Sequence, residues 1–416
     1  MPITRRRFIT NGLKFVSLSA AMPGLFMEAA HAAESTAPRG STPGKNKILV
    51  IVEMSGGNDA LNTVIPFSDP KYATFRPGIG AAKNEVVQIG NGLGLHPSMT
   101  ALGGMFERGQ LAVLPGVGYP HPNRSHFESM DIWQTGNPEA KTQRTGWVAR
   151  QFDEAGHLKS DPLSGVTLGS TLPLAMWSQN SPASVIGDGT NYGFDTRGPD
   201  SEKIQEARRR LYESGTTANS SADFVRKAGR EIYASTDSIK SALQDYNPRI
   251  AGEANYPNSG LATRLKTIAQ LIGGDLSTRV YYANIGGFDT HADQPRKHAA
   301  LLGELSEAIA AFYRDLTLQK RDKDVVLMTF SEFGRRVQEN GSLGTDHGAA
   351  GVMFVAGGAL RGGVHGEQPG LDDLEDGDLR FHTDFRRVYA TILDRWLGAP
   401  SAKVLGGEFA HLKFLA

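Results

Sequence analysis

The sequence predicts an α/β fold built on a mostly parallel sheet, and three observations carry that expectation. Residues 47–54 (KILVIVEM) form a nearly continuous apolar run, the mark of a strand buried on both faces. From residue 261 onward helical and β-type segments alternate, as parallel strands joined by crossovers require. Three β-type runs between Val280 and Gly358 each border acids and histidines. The first ends in Asp289 and His291, the second in Ser331 and Glu332, and the third is preceded by Asp346 and His347. Ligands of open α/β sheets sit beyond the carboxyl ends of the strands, where the first two clusters fall.

The N-terminus carries an address. Residues 4–9 (TRRRFI) match the twin-arginine export pattern, and an apolar run from Leu13 to Phe26 leads to a small-x-small site, Ala30-His31-Ala32. A basic amphipathic helix is the alternative, but it leaves the Ala-x-Ala site unexplained. The run is too short and interrupted to span a membrane. The expected organisation is a signal peptide over 1–32, a Pro/Gly-rich linker over 33–46 and a single α/β domain over 47–416. The mature chain then lies beyond the cytoplasmic membrane and has no membrane span. Lys+Arg and Asp+Glu both total 44, so no whole-protein field favours nucleic acid or an anionic surface. The absence of cysteine excludes disulfides and thiolate metal ligands.

Taken in order, the first strand exits into Ser-Gly-Gly-Asn-Asp-Ala-Leu-Asn (55–62), where the glycines permit a tight turn. Asp59 stands there as a ligand or as the cap of a following turn; Glu53 lies inside the apolar run. Residues 66–94 read as an irregular excursion. A helix is expected from His96-Pro97-Ser98 to Arg108, with Met99, Leu102, Met105 and Phe106 on its apolar face. A strand over 110–117 then leads to Arg124 and Ser125 at a helix start. A hydroxyl there meets free N–H groups and the positive end of the helix dipole, which suits a nucleophile. It equally suits a plain N-cap, with Glu128 completing a Ser-x-x-Glu box.

Residues 137–200 read as loops with short β-type pieces (VTLG, LAMWS, ASVIG), and about 201–250 as a charged helical insertion with solvated faces. The helix over 261–273 is closed by Gly273-Gly274. Strand 279–285, helix 296–317, strands 324–330 and 351–356, and a helix over 384–397 complete the pattern, with Thr383 as cap and Gly398 as stop for the last.

Imidazole nitrogen and carboxylate oxygen together suit a divalent ion of the zinc or manganese type. Asp289 and His291, two apart in an extended segment, point the same way and can share one ion. Glu332 and His347 approach from neighbouring connections, and Asp59 from the first strand's exit. Such an ion (zinc, manganese or calcium) would orient an ester and activate Ser125 or a water, with Arg124 or Arg335 clamping a small anionic substrate. A polar structural network is the other reading of the same residues. His365 and His382 are further candidates, each also explained structurally.

The twin-arginine start and the blocks SGGNDALN, RSHFESMD, GFDTH, SEFGR and TDHG together resemble the exported DUF1501 family. That family in turn looks like a distant relative of the alkaline phosphatases and sulfatases. The resemblance implies a three-layer α/β/α sandwich with a helical insertion and a two-metal esterase site. On it, Asp59 (or Glu53) matches the acid after the first strand and Ser125 the nucleophile. Asp289, His291 and His347 match later ligands. Ser331-Glu332 stands where an Asp-His pair is the pattern of the alkaline phosphatases and sulfatases, so a degenerate site on an exported binding or envelope protein is the alternative function.

Overall fold

The computed structural model describes residues 47–139, 144–155, 161–179, 183–187, 200–213 and 220–415. The expected signal peptide and linker lie outside them. Strand β1 (Ile48–Ser55) is buried on both faces: Ile48, Val50, Val52 and Met54 enter one apolar core, Leu49 and Ile51 the other. Three short strands, β2 (Val64–Ile65), β3 (Val87–Gly90) and β4 (Leu93–Leu95), follow as a separate sheet. The rest of the main sheet is β5 (Leu111–Gly118), β6 (Gly165–Leu168), β7 (Ser184–Ile186), β8 (Val280–Gly286), β9 (Val325–Phe330), β10 (Gly351–Gly357) and β11 (Gly363–Val364). A hairpin of β12 (Leu374–Glu375) and β13 (Asp378–Leu379) precedes β14 (Thr383–Asp384), which pairs with β5. The order is β11-β5-β10-β9-β1-β8-β6-β7.

Parallel pairs dominate: β1 lies between β8 and β9, and β6 pairs with β7 and β8, all in one direction. The departure is β10, antiparallel to both β5 and β9. No helix intervenes between β9 and β10, so the chain turns back instead of crossing over.

Helices cover both faces. Against one pack α3 (Thr100–Glu107), α9 (Gly260–Gly273) and α10 (Gln294–Leu318), reached after the short α1 (Ala60–Thr63) and α2 (Pro70–Phe75). Against the other pack α4 (His126–Thr135), α5 (Trp147–Glu154), α11 (Phe385–Ile392) with a π-turn over Leu393–Leu397, and α12 (Ser401–Leu405). This is the expected α/β/α sandwich. The charged segment folds as α6 (Ser201–Glu213), α7 (Ser220–Asp245) and α8 (Pro248–Ala254). Among the described residues no helix is long and apolar enough to cross a membrane.

Several local expectations change. The 66–94 excursion contains α2 and the β3–β4 hairpin, whose Gly90-Asn91-Gly92 turn has φ of 88°, 53° and 73°. LAMWS forms a 3-10 turn over Leu174–Met176, not a strand. Gly274 ends α9 with φ −78°, so it is not a left-handed cap. Its role is close approach: a Cβ there would stand 2.3 Å from Ala242 of α7. Asp384, not Thr383, caps α11, while Gly398 ends the π-turn at φ 69°.

Asp315 of α10, fully enclosed, fastens the helical segment to the sandwich. It accepts from the Tyr246 hydroxyl at 2.7 Å, the Tyr256 hydroxyl at 3.0 Å and Gln319 Nε2 at 2.6 Å. Asp315→Ala would strand two hydroxyls, each costing about 1–3 kcal/mol. The expected outcome is a lower urea midpoint, with limited proteolysis cutting first between residues 201 and 256.

Candidate metal centre

Beyond the carboxyl end of β1 the chain must turn hard against the exit of β8. Gly56 does so at φ +120°, where a Cβ would stand 2.4 Å from the Asp289 nitrogen and 2.8 Å from the Phe288 backbone. Gly57, at φ +73°, leaves room for the Phe333 ring. The fully buried Arg335 side chain ties these turns together. Nε donates to the Gly57 carbonyl (2.6 Å) and Nη1 to the Thr345 carbonyl (2.9 Å). Nη2 reaches the carbonyls of Gly56 and Phe288 and, at 2.6 Å, Asp289 Oδ1.

Four groups converge on this frame. Asp289 and His291 follow β8, His126 opens α4, and His347 lies on a short antiparallel bridge to Arg335. His126 Nδ1 faces Glu332 Oε1 at 2.8 Å, His291 Nδ1 faces Asp346 Oδ1 at 3.2 Å, and His347 Nδ1 faces the Arg124 carbonyl at 2.9 Å. Carboxylate and carbonyl oxygens accept, so each Nδ1 holds the hydrogen. In the neutral ring the lone pair is then on Nε2, and all three Nε2 atoms point inward. His291 Nε2 is 3.0 Å from Asp289 Oδ1 and 3.0 Å from His347 Nε2. His347 Nε2 is 3.3 Å from Asp289 Oδ1. His126 Nε2 is a buried atom without a hydrogen-bond partner, 3.6 Å from Asp289 Oδ2. Ligand atoms of His126, Asp289 and His347 all lie within 4.8 Å of one another. Burial pushes the Asp289 carboxyl up, but Arg335 and then His347 and His291 hold it below the usual carboxylate range.

Lone pairs and a carboxylate held this close repel unless a positive charge sits among them. A divalent ion meets that need and a proton meets it in part. The outer oxygens on each Nδ1 are the partners that metal-bound imidazoles use. The donor set therefore fits a metal.

The remaining expected residues are placed otherwise. Asp59 does not reach the cluster; it caps α1, accepting from the Asn62 nitrogen at 3.4 Å. Its enclosed carboxylate takes a two-pronged bond from Arg76, Nη1 at 2.5 Å and Nη2 at 3.1 Å, and one from Gln294. Burial pushes this carboxyl up, and Arg76 outweighs it so that the net direction is down. Glu332 stands behind His126, accepting also from the Gly56 nitrogen at 2.8 Å. Every nitrogen of the enclosed Arg335 guanidinium is bonded to this frame, so it is framework and not a clamp. Arg124 is ion-paired with Asp378. Ser125 lies at the start of α4 with no side-chain capping bond; Asn123 Oδ1 accepts from its nitrogen instead, and Glu128 pairs with Asn123, so the Ser-x-x-Glu box does not form. His365 bonds the Arg361 carbonyl and His382 joins β5 through its backbone, both outside the cluster.

His126 was not among the expected ligands. Its signal was present in RSHFESMD: a histidine at a helix start beside the serine. Glu53 also gains a place, because it lines a cleft of about 640 Å³ that shares His126, Asp289 and Glu332 with the cluster. Burial pushes the Glu53 carboxyl up, although Tyr282 and Gln134 donate to it.

Fold and site define an α/β/α protein with three histidines and an aspartate gathered at the carboxyl edge of its sheet. The chain belongs to the DUF1501 family, described as a protein of unknown function, whose sequence profile matches residues 46–400. No curated protein matches its sequence. Among solved structures, it is similar to the lipoteichoic acid synthase LtaP from Listeria monocytogenes, at 9% identity and TM-score 0.34, covering 77% of this chain and 68% of that one. It is similar too to an alkaline phosphatase superfamily protein from Vibrio parahaemolyticus, at 9% identity and TM-score 0.32, covering 78% and 62%. A third is the periplasmic domain of EptC from Escherichia coli in complex with Zn, at 8% identity and TM-score 0.34, covering 75% and 73%.

Two substitutions test the frame. Gly56→Ala forces a side chain into a left-handed backbone and a closed contact, and is expected to destabilise by at least about 1–3 kcal/mol in urea melts. Asp59→Asn leaves Arg76 buried without its counter-ion, a loss of about 3–5 kcal/mol. Because the folded Asp59 pKa is depressed, its contribution is present at neutral pH and fades as pH falls through the folded value. The gap between wild type and variant should narrow in acid.

Proposed function

We propose that this protein is an exported metal-dependent hydrolase of small phosphate or sulfate esters, with His126, Asp289, His291 and His347 as the ligand set. The observation that carries the reading is the common orientation of the three imidazoles, each with Nδ1 on an oxygen and Nε2 turned toward Asp289. Three nitrogen donors favour zinc or manganese over calcium, which takes oxygen ligands.

A bound divalent ion would polarise the ester and lower the pKa of a hydroxyl or water beside it. Ser125 supplies the hydroxyl. It is exposed, free of a capping bond, and adjacent in sequence to His126. Its place at the N-terminus of α4 favours the alkoxide and the anion it would attack. Glu332 and the Arg124 carbonyl hold the His126 and His347 rings in orientation. Glu53, whose carboxyl burial pushes up, lines the same cleft and would be the group to exchange a proton with a leaving alkoxide.

One observation favours the second reading, a binding or envelope protein without turnover. Arg124 is paired with Asp378 and Arg335 is enclosed, so neither guanidinium is free to meet an anion at the cluster.

Metal analysis of protein purified without chelator separates the outcomes. Stoichiometric zinc or manganese is expected, lost in the Asp289→Ala, His291→Ala double variant. Ser125→Ala is expected to keep the metal and lose turnover of aryl phosphates or sulfates by several orders of magnitude. Metal-free wild-type protein would falsify the metal site. A metal-loaded protein inactive on both ester classes leaves the binding reading.

A further inference from the structure

Helix α4 delivers more than His126. Its residues Phe127, Met130, Asp131 and Gln134 follow helical spacing and all line the cleft beside the cluster, with Leu174 facing them. Phe127 is 86% exposed, well above every other exposed large hydrophobic side chain among the described residues, the next being Leu211 at 52%. The position is not a frayed end. The opposite face of α4 is anchored by Trp133, stacked on Phe330 at 5.7 Å and on Phe385 at 4.4 Å, and by Ser129 bonded to the Tyr119 hydroxyl at 3.0 Å. A rigid helix thus holds an unburied aromatic ring one residue from a candidate ligand.

The lining of the cleft also carries Glu53, Asp131, Asp289 and Glu332. Carboxyl groups there oppose a second anionic group on anything reaching past the histidines. A second anion along α4 is therefore disfavoured, while Phe127, Met130 and Leu174 offer apolar surface there.

We propose that the site takes an amphiphilic monoester, its anionic head at the histidine cluster and its apolar alkyl or aryl part along Phe127, Met130 and Leu174. This rests on the ligand set described above, and deepens the hydrolase reading by naming the class of alcohol. The apolar part gains by leaving water for the Phe127–Met130 face, and the head group alone finds no such surface.

Binding can be read without turnover. Methyl-, butyl- and hexylphosphonate, which carry the head group and cannot be hydrolysed, are titrated calorimetrically into the metal-loaded full chain. Affinity is expected to rise about two- to fourfold per methylene over the first few carbons, and Phe127→Ala to flatten that rise while metal content, measured separately, persists. Equal affinity across the series, or no binding, overturns the proposal; so does a rise that survives in Phe127→Ala. Tighter binding of 6-aminohexyl- than of hexylphosphonate would give the far end to the carboxylates and overturn it as well. Flat titrations with Phe127-dependent self-association in sedimentation would assign the face to a second copy. Chain-length-dependent binding without ester turnover supports the inference and fails only the hydrolase reading.

Discussion

The site depends on one buried guanidinium. Arg335 collects carbonyls from the β1 turn, the β8 turn and the segment before β10, and holds the Asp289 carboxylate as well. These turns leave the sheet edge with carbonyls pointing inward and no strand partner to satisfy them. Five donors in a rigid plane meet that need, and a lysine, with three donors on one atom, would not. Once Arg335 is seated, Asp289 is aimed, and His347 follows because its strand-like bridge runs to Arg335 itself.

Behind that plane lies a second polar layer that never meets the cleft. Asp59, Arg76, Gln294, Thr290 and Thr345 bond to one another, and Asn58 accepts from His298 at 2.8 Å. Burial holds the His298 imidazole down to about 3, so it is neutral there. This layer supports the turns from beneath. It also explains why two neighbouring acids have different roles: Asp289 is half-exposed and faces imidazoles, whereas Asp59 is enclosed and faces a guanidinium. The same residue type is a ligand candidate in one setting and a structural counter-ion in the other.

Much of the frame was legible beforehand. The continuous apolar runs of β1, β5, β8, β9 and β10 mark buried strands. The apolar period in α9 and α10 marks helices packed on them, since Leu265, Ile268, Leu305, Ile309 and Phe312 all fall in the core. The pairing of Asp289 with His291 followed from their spacing. His126 was harder to see: nothing local separates a helix-start histidine that turns into a site from one that faces water. Glu332 reads as a ligand from its place at a strand end, yet the Gly56 nitrogen and the His126 ring claim its Oε1 and the Ser331 hydroxyl its Oε2.

The sequence by itself determined which of the long core segments are strands and helices, the order in which they come, and the residue types brought to the carboxyl edge. Those follow from short-range periodicity, which one chain displays without reference to its partners. Only the tertiary structure decided the antiparallel direction of β10, the loss of Asp59 to Arg76, and the gain of His126. Each turns on a contact between residues far apart in sequence, such as the 206 positions between His126 and Glu332. A hydrogen-bonding group goes to whichever partner the folded backbone brings within about 3 Å, and that choice is not written in its neighbours.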